Sequence, residues 1–367
     1  MKIVFDHQCF LFLNYGGVSR YYLSLIKKLI DMKEDVHVIA PLHQNEQLKL
    51  LPKDCVKGYR VNRNLLKPYR ISSIVNDLLS PLMISRLNPD IIHETYFLPK
   101  TIISPCKGRI VTIHDMIHEK FPQYFPPNDP STSNKIKAIE RADHVICVSN
   151  NTKHDLCNIL NVPSKKISVV YHGCENAIKS YSKNFLYNGR PFLLHVGGRS
   201  LYKNFIQTLK AVAISTELRK TFDILAFGSE KFSKDEQATI CQLNLRPGSV
   251  KHIIGNDNTL NDLYCQATAL VYPSLYEGFG LPILEAMKHG CPVVCVNSSS
   301  MPEVGGNAVQ YFNPKSTEDL SDAIQKVVFN KDRKTELILK GYTQANLFSW
   351  QRCAKETLNV YKKVLNI

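Results

Sequence analysis

The chain has 367 residues, 44% of them hydrophobic, with 46 Lys and Arg against 32 Asp and Glu for a formal charge of +14. That length holds two domains of ordinary size, and that apolar content builds real cores, which excludes a disordered or fibrous chain. The excess of base suits phosphorylated small molecules or anionic lipid, but it lacks the dense clusters and finger spacings of a nucleic-acid reader, so nucleic acid is not expected as a partner.

Residues 2–6 (KIVFD) read as a first strand. The opening MKIVFDHQCFLF is apolar but short, and Asp6 and His7 break it, unlike a signal peptide or a membrane span. No other run reaches the ~18 apolar residues that a membrane helix needs. Asn14–Gly17 (NYGG) form a loop, and Val18, Tyr22, Leu25, Ile26 and Leu29 follow at helical spacing. Gly16 and Gly17 therefore stand just before a helix. Glycines there let the backbone pass close to a ligand with free N–H groups aimed at it; a plain tight turn is the alternative. Asp35–Ala40 is the next strand, and 41–70 shows turns and basic residues with little periodicity.

Residues 71–87 are expected to be helical, and Pro89–Thr95 a strand ending in His93 and Glu94. Gly108–Pro126 is a strand running into a polar and aromatic loop. His114 and Asp115 sit where that strand ends, which is where an open α/β sheet presents useful side chains. Asn134–Ala142 is a helix, His144–Leu156 a strand, turn and helix capped around Ser149, and Lys166–Gly173 a closing strand. The polar, aperiodic residues 176–190 read as a linker.

The second half repeats the pattern. Pro191–Gly198 is a strand, Arg199–Asn204 a basic loop leading into a helix, Phe222–Ser229 and Val250–Gly255 strands, and Leu260–Gln266 a helix. Strands at Ala269–Pro273 and Pro292–Val296 flank a glycine-rich turn and a helix start. Met301–Pro314 reads as a loop with a short strand. Ser316–Val327 and part of Lys331–Leu347 are helices, and the amphipathic tail, Ser349–Leu365, is a last helix capped by Ser349. Strands alternate with helices throughout, so the fold class is α/β: two doubly wound, Rossmann-like domains facing a central cleft. The expected division is 1–175 on the acceptor side, a linker at 176–190, 191–345 for the donor, and a helix at 346–367 crossing back to the first domain.

Arg199 and Lys203 are four apart, behind a glycine pair and at a helix start, where they can hold a phosphate; a solvated surface pair is the alternative. A diphosphate leaving group gains charge as its bond breaks, and fixed cations and amides stabilise that charge. Glu285 can accept two hydroxyl hydrogen bonds, as from a ribose, or merely favour a helix dipole. Glu277 lies eight residues earlier, in the turn. His114 can touch a transferred group or be an ordinary core histidine. No acidic triad and no DxD at a strand end offers a metal site, and the eleven cysteines lack metal-ligand spacing, as in a reduced cytosolic protein with buried thiols. The dinucleotide fingerprint, the P-loop and the GxSxG elbow are all missing.

Taken together, YGG at Tyr15–Gly17, HD at His114–Asp115, HG at His172–Gly173, GGRSLYKN at Gly197–Asn204 and EGFGLPILE at Glu277–Glu285 resemble the retaining glycosyltransferases of family GT4, which have the GT-B fold. The resemblance spans nearly the whole chain, and the two glutamates eight positions apart are its most specific mark. It implies that the Gly17 amide and the Gly16 turn meet the donor diphosphate, with Arg20 as a weaker ligand. Arg199 and Lys203 would neutralise that diphosphate. Glu285 would hold the ribose, Glu277 and the backbone of Phe279, Gly280 and Leu281 would lie beside the donor sugar, and His114 would contact the sugar near the reacting carbon. It further implies no metal or other cofactor, and a front-face mechanism in which the departing phosphate oxygen takes the acceptor's proton. The stretch TIHDMIHEKFPQYF is similar to bacterial O-antigen and capsule mannosyltransferases. That points to GDP-mannose and a polyprenyl-diphosphate-linked glycan, in the cytoplasm, with a peripheral contact on the anionic inner face of the membrane. A UDP- or dTDP-sugar donor, or a non-hydrolysing nucleotide-sugar epimerase, is the alternative.

Overall fold

The computed structural model describes residues 1–12, 16–61, 69–98, 104–174, 186–199, 201–228 and 230–367. Asn14 and Tyr15 of the NYGG loop, Ser200 of the basic loop, Ser229 and positions 176–185 of the expected linker lie outside them. The chain divides into two compact units, Met1–Gly173 with Ser349–Ile367, and Cys174–Phe348.

The first unit is built on seven strands: β1 (Lys2–Phe5), β2 (Asp35–His43), β3 (Val56–Arg60), β4 (Ile91–Glu94), β5 (Gly108–Ile113), β6 (His144–Cys147) and β7 (Ile167–Val169). They lie in the order β3-β2-β1-β4-β5-β6-β7, every pair parallel. A parallel sheet is covered on both faces, so its central strands must be apolar almost throughout. Ile3, Val4, Phe5, Ile110, Val111 and Ile113 are accordingly fully buried. The crossovers are helices, among them Gly17–Asp31, Tyr69–Leu87, Ser131–Arg141 and Asn150–Leu160. Ser149 caps the last of these, its Oγ accepting the Thr152 N–H at 3.0 Å.

Some details depart from the sequence reading. Strand β2 does not stop at Ala40 but runs through Pro41 to His43, and its pairing with β3 slips between Ile39 and Leu42. A bulge is where a strand tolerates proline, which has no N–H to give the ladder. Gln8–Phe12 form a short helix after β1. The tail helix, Trp350–Leu365, packs on Gly17–Asp31, with Trp350, Ala354, Leu358 and Tyr361 joining Tyr21, Tyr22 and Leu25 in one core. Ser349 caps it through the Arg352 N–H at 3.1 Å. Gly173 is fixed by this docking: a Cβ there would stand 2.1 Å from the Trp350 nitrogen and 2.3 Å from the Ser349 carbonyl carbon.

The second unit has six parallel strands: β8 (Phe192–Val196), β9 (Asp223–Phe227), β10 (Val250–Ile253), β11 (Ala269–Tyr272), β12 (Val293–Val296) and β13 (Gln310–Phe312), in the order β10-β9-β8-β11-β12-β13. Helices flank it, including Phe205–Ile214, Lys234–Gln242, Asp257–Gln266, Leu281–Lys288, Thr317–Val328 and Lys331–Ala345. Met301–Gly305, expected as loop, is a short helix. Both units are thus doubly wound and Rossmann-like. In each, the strand order reverses once, between β1 and β4 in the first and between β8 and β11 in the second. The loops leaving such a pair of strands diverge and open a crevice at their carboxyl ends. Among the described residues no helix is long and apolar enough to cross a membrane.

Candidate active site

The crevice of the second unit is lined by the two segments singled out in the sequence. Gly197–Arg199 and, further on, Leu201–Lys203 follow β8, and Pro273–Gly280 follow β11. Gly197 has φ +109°, a conformation that strongly favours glycine, and a Cβ on it or on Gly198 would meet nothing within 4 Å. The turn is therefore left-handed and open on its outer side. Lys203 ends a single 3-10 turn, Leu201–Lys203. Its Nζ lies 2.6 Å from Glu277 Oε1, and the same oxygen accepts the Tyr272 hydroxyl at 2.7 Å. Burial, and then the Glu277 charge, push the Tyr272 pKa well above the usual tyrosine value, so the phenol stays a donor.

The main chain of Glu277 is held as firmly as its carboxylate. Its N–H donates to Ser299 Oγ at 3.2 Å, and its carbonyl accepts both Ser299 Oγ (2.6 Å) and Ser300 Oγ (2.9 Å). Ser300 Oγ also donates to the Phe279 carbonyl at 2.8 Å. Gly280, at φ +102°, turns the chain into the helix Leu281–Lys288, with Pro282 in the first turn and no side-chain cap. Glu285 lies one turn further, buried, its Oε2 accepting the Tyr264 hydroxyl at 3.0 Å. Tyr264 in turn stacks on His289, whose Nδ1 is 2.7 Å from the Glu285 carbonyl.

Arg199 is engaged elsewhere. Its Nε is 2.7 Å from Glu236 Oε1, and its Nη2 reaches the carbonyls of Glu230 (2.6 Å) and Lys231 (3.1 Å). The guanidinium lies 4.8 Å from the Phe232 ring centre, and its side chain is only 5% exposed. Burial raises the Glu236 pKa, but Arg199 and the Ser233 amide outweigh it, and the net shift is down. Arg199 thus ties the loop after β9 to the turn after β8. The structure brings Lys203 and Glu277 into contact and gives Arg199 and Glu285 separate partners.

Gly16, Gly17, Arg20 and His114 belong to the first unit. Gly16 is extended, and Gly17 opens the helix Gly17–Asp31 with no side-chain cap and no acid in its first turn. A Cβ on either glycine would meet nothing within 4 Å. Arg20 lies in that first turn, half-buried. His114 follows β5, edge-on to Tyr21 (5.1 Å), Tyr22 (5.8 Å) and His172 (5.9 Å) between ring centres. Burial lowers its pKa to about 4, so the ring is neutral near pH 7, and its buried Nε2 has no hydrogen-bond partner among the described residues. Below it His93 bridges Tyr361 (2.6 Å) and Thr112 (2.8 Å). The Asp115 carbonyl is anchored by Lys135 Nζ at 2.9 Å, and Lys135 pairs with Glu119 at 2.7 Å. Both of those side chains are buried.

Sequence reasoning missed Tyr264, Tyr272, Ser299, Ser300 and Glu236. Only Glu236 had a local signal, the Ser-x-x-Glu capping box that starts the helix Lys234–Gln242. Among the described residues no group of three or more His, Cys, Asp or Glu is placed to hold a metal ion.

Comparison with known proteins matches residues 15–176 to the family described as Glycosyltransferase Family 4 and residues 178–344 to Glycosyl transferases group 1. The chain is similar to the O-antigen chain mannosyltransferase B of Escherichia coli, 26% identical over 385 residues that cover 99% of this chain and 100% of the relative. A glycosyltransferase from Rickettsia africae superposes with a TM-score of 0.73 at 18% identity, covering 99% of this chain and 98% of the other. Anabaena HepE, solved with UDP and glucose, gives 0.74 at 16%, covering 99% and 100%. At such identities the two solved structures speak for the fold alone.

Proposed function

The chain belongs to glycosyltransferase family 4 and has the GT-B fold, and from that premise we propose that it moves a hexose from a nucleotide sugar with retention of configuration. That it is a glycosyltransferase with a nucleotide-sugar donor and a glycan acceptor follows from the family. The observation that carries the finer reading is the Lys203–Glu277 pair at the β8/β11 switch point.

In this reading Lys203 neutralises the diphosphate as the bond to the sugar breaks, a task that needs a fixed cation in a site shielded from water. Glu277, pinned by Tyr272, Ser299 and Ser300, orients Lys203 and meets the sugar hydroxyls. It is not assigned as a general base, because its Oε1 already accepts from Lys203 Nζ and the Tyr272 hydroxyl. Glu285 takes the ribose hydroxyls, steadied by Tyr264. Phe279, Gly280 and Leu281 offer backbone groups at an uncapped helix start. Arg199 adds charge to the diphosphate to the extent that Glu236 releases it. Gly16, Gly17 and Arg20, in the first unit, offer amides and a cation suited to a phosphate group. The neutral His114, with a ring nitrogen unspent, suits contact with the transferred sugar. The mechanism proposed is metal-independent and front-face, the departing phosphate oxygen taking the acceptor's proton.

For the donor, a UDP- or dTDP-linked hexose is the first reading, UDP being the nucleotide bound in HepE, a protein alike in fold. GDP-mannose is the second, favoured by the mannosyltransferase relative. A lipid-linked, growing cell-surface glycan is the proposed acceptor, supported by that same relative and by the charge of +14. The enzyme would then work in the cytoplasm against the inner membrane face. Thermal stabilisation by UDP, dTDP and GDP, then by their sugars, tests the donor. A shift with GDP alone reverses the order of the two readings. Donor incubated without acceptor should return unchanged; an altered sugar would make the protein an epimerase instead.

A further inference from the structure

The helix Tyr69–Leu87 is inverted over residues 72–82; beyond them Ile84 packs in the ordinary way against Val4, Ile39 and Ile92. In the inverted part the inner face is polar: Ser72, Asn76 and Ser80, at four-residue spacing, are at most 1% exposed. Asn76 and Ser80 are accommodated by hydrogen bonds, while the Ser72 hydroxyl is buried with no partner among the described residues. Asn76 Nδ2 donates to the Leu42 carbonyl (2.9 Å) and to the Ser72 carbonyl (2.8 Å), and its Oδ1 accepts the Leu42 N–H at 3.0 Å. Ser80 Oγ lies 3.0 Å from His7 Nδ1. On the opposite side Ile74, Leu78 and Leu82, again at four-residue spacing, are 56%, 65% and 61% exposed, with Leu79 beside them at 43%. A helix on a water-soluble domain normally shows the reverse pattern. Isolated exposed leucines need no explanation, but a stripe of them over three turns marks a contact surface.

We propose that this face docks on an anionic lipid bilayer, its apolar stripe entering the headgroup boundary and Arg86 meeting lipid phosphate. The charge supports lipid over a second copy of the chain. Residues 46–86 carry eight Lys and Arg against three Asp and Glu, and Arg86, exposed, continues the stripe one turn past Leu82. Two copies facing each other would bring like charges together, whereas an anionic surface attracts them. Apolar insertion and basic attraction together are the two signals that stable peripheral binding requires. The inference rests on the proposed lipid-linked acceptor for its purpose, but not for its test.

Full-length protein should float with vesicles of phosphatidylcholine containing about a third phosphatidylglycerol and remain unbound with phosphatidylcholine alone. The double variant Leu78→Ser, Leu82→Ser should lose binding by about tenfold or more, and Arg86→Ala by a smaller factor that shrinks with salt. Melting temperature and nucleotide binding should stay as in wild type, because these side chains are exposed. Equal flotation of the double variant would overturn the assignment, as would wild-type protein that never floats, or a dimer in solution that the two serines dissociate. Protein that transfers sugar but does not float would end this inference and leave the proposed function standing.

Discussion

The two units share one plan, a parallel sheet whose strand order reverses once, and furnish the carboxyl edges of their sheets differently. The second unit lays out charge: Lys203 against Glu277 and Arg199 against Glu236. The first unit buries neutral rings: His93, His114 and His172 among Tyr21, Tyr22, Tyr361 and Trp350. A topological switch point sets where a ligand sits and leaves its chemistry to the loops. One edge suits an anion whose charge grows during reaction; the other suits hydroxyl groups that need a fixed, uncharged partner.

Acid should separate the two units most. Among the described residues burial depresses six histidines of the first unit, His7, His43, His93, His114, His144 and His172, and in the second unit His195. A histidine near 6.5 unfolded and near 4 folded, as His7, His114, His144 and His195 are, takes its proton mainly in the unfolded state. Its contribution is therefore intact above pH 6.5 and is lost as pH falls towards 4, by up to roughly 1.4 kcal/mol per pH unit for each group. Asp6, raised by burial, works the other way and offsets only part of this. Hydrogen exchange of the whole chain from pH 7 to 4.5 should show protection lost first around β4, β5 and the tail helix. Loss starting in β8–β13 would break the contrast.

Lys203→Ala should come next, lowering kcat/KM for the donor by roughly 10²–10³ while the fold persists. Retained activity within a few fold would remove Lys203 from the diphosphate. The smallest effect sharpens the role of Arg199. Glu236→Ala deprives a nearly buried guanidinium of its partner and a helix of its capping box, so a destabilisation of roughly 2 kcal/mol is expected. If Arg199 serves mainly as a clamp between the two loops, Arg199→Ala and Glu236→Ala should reduce donor turnover alike. A far larger loss for Arg199→Ala would mark it as a direct ligand of the diphosphate.

Much of this was legible in the sequence because it is local. The segment Tyr272–Glu285 is a strand end, a glycine turn and a proline-started helix in both readings, since Gly280 and Pro282 act on their own backbone. The caps at Ser149 and Ser349 were visible for the same reason. Strand β3 was not, because an edge strand exposes Lys57, Tyr59 and Arg60 and shows no apolar period. The extent of the helix Tyr69–Leu87 could be read, but not its inversion: Asn76 is buried only because Leu42, 34 residues away, offers it both a donor and an acceptor.

By itself the sequence determined the α/β class, the repeated β/α pattern and the identity of the charged residues, all of which follow from spacing and turn chemistry along the chain. Tertiary structure alone decided how those charges pair. Lys203 reaches Glu277 across 74 residues and Arg199 reaches Glu236 across 37. Those distances are set by which strands lie side by side in the sheet, and strand order is a property of the folded sheet that no local period encodes.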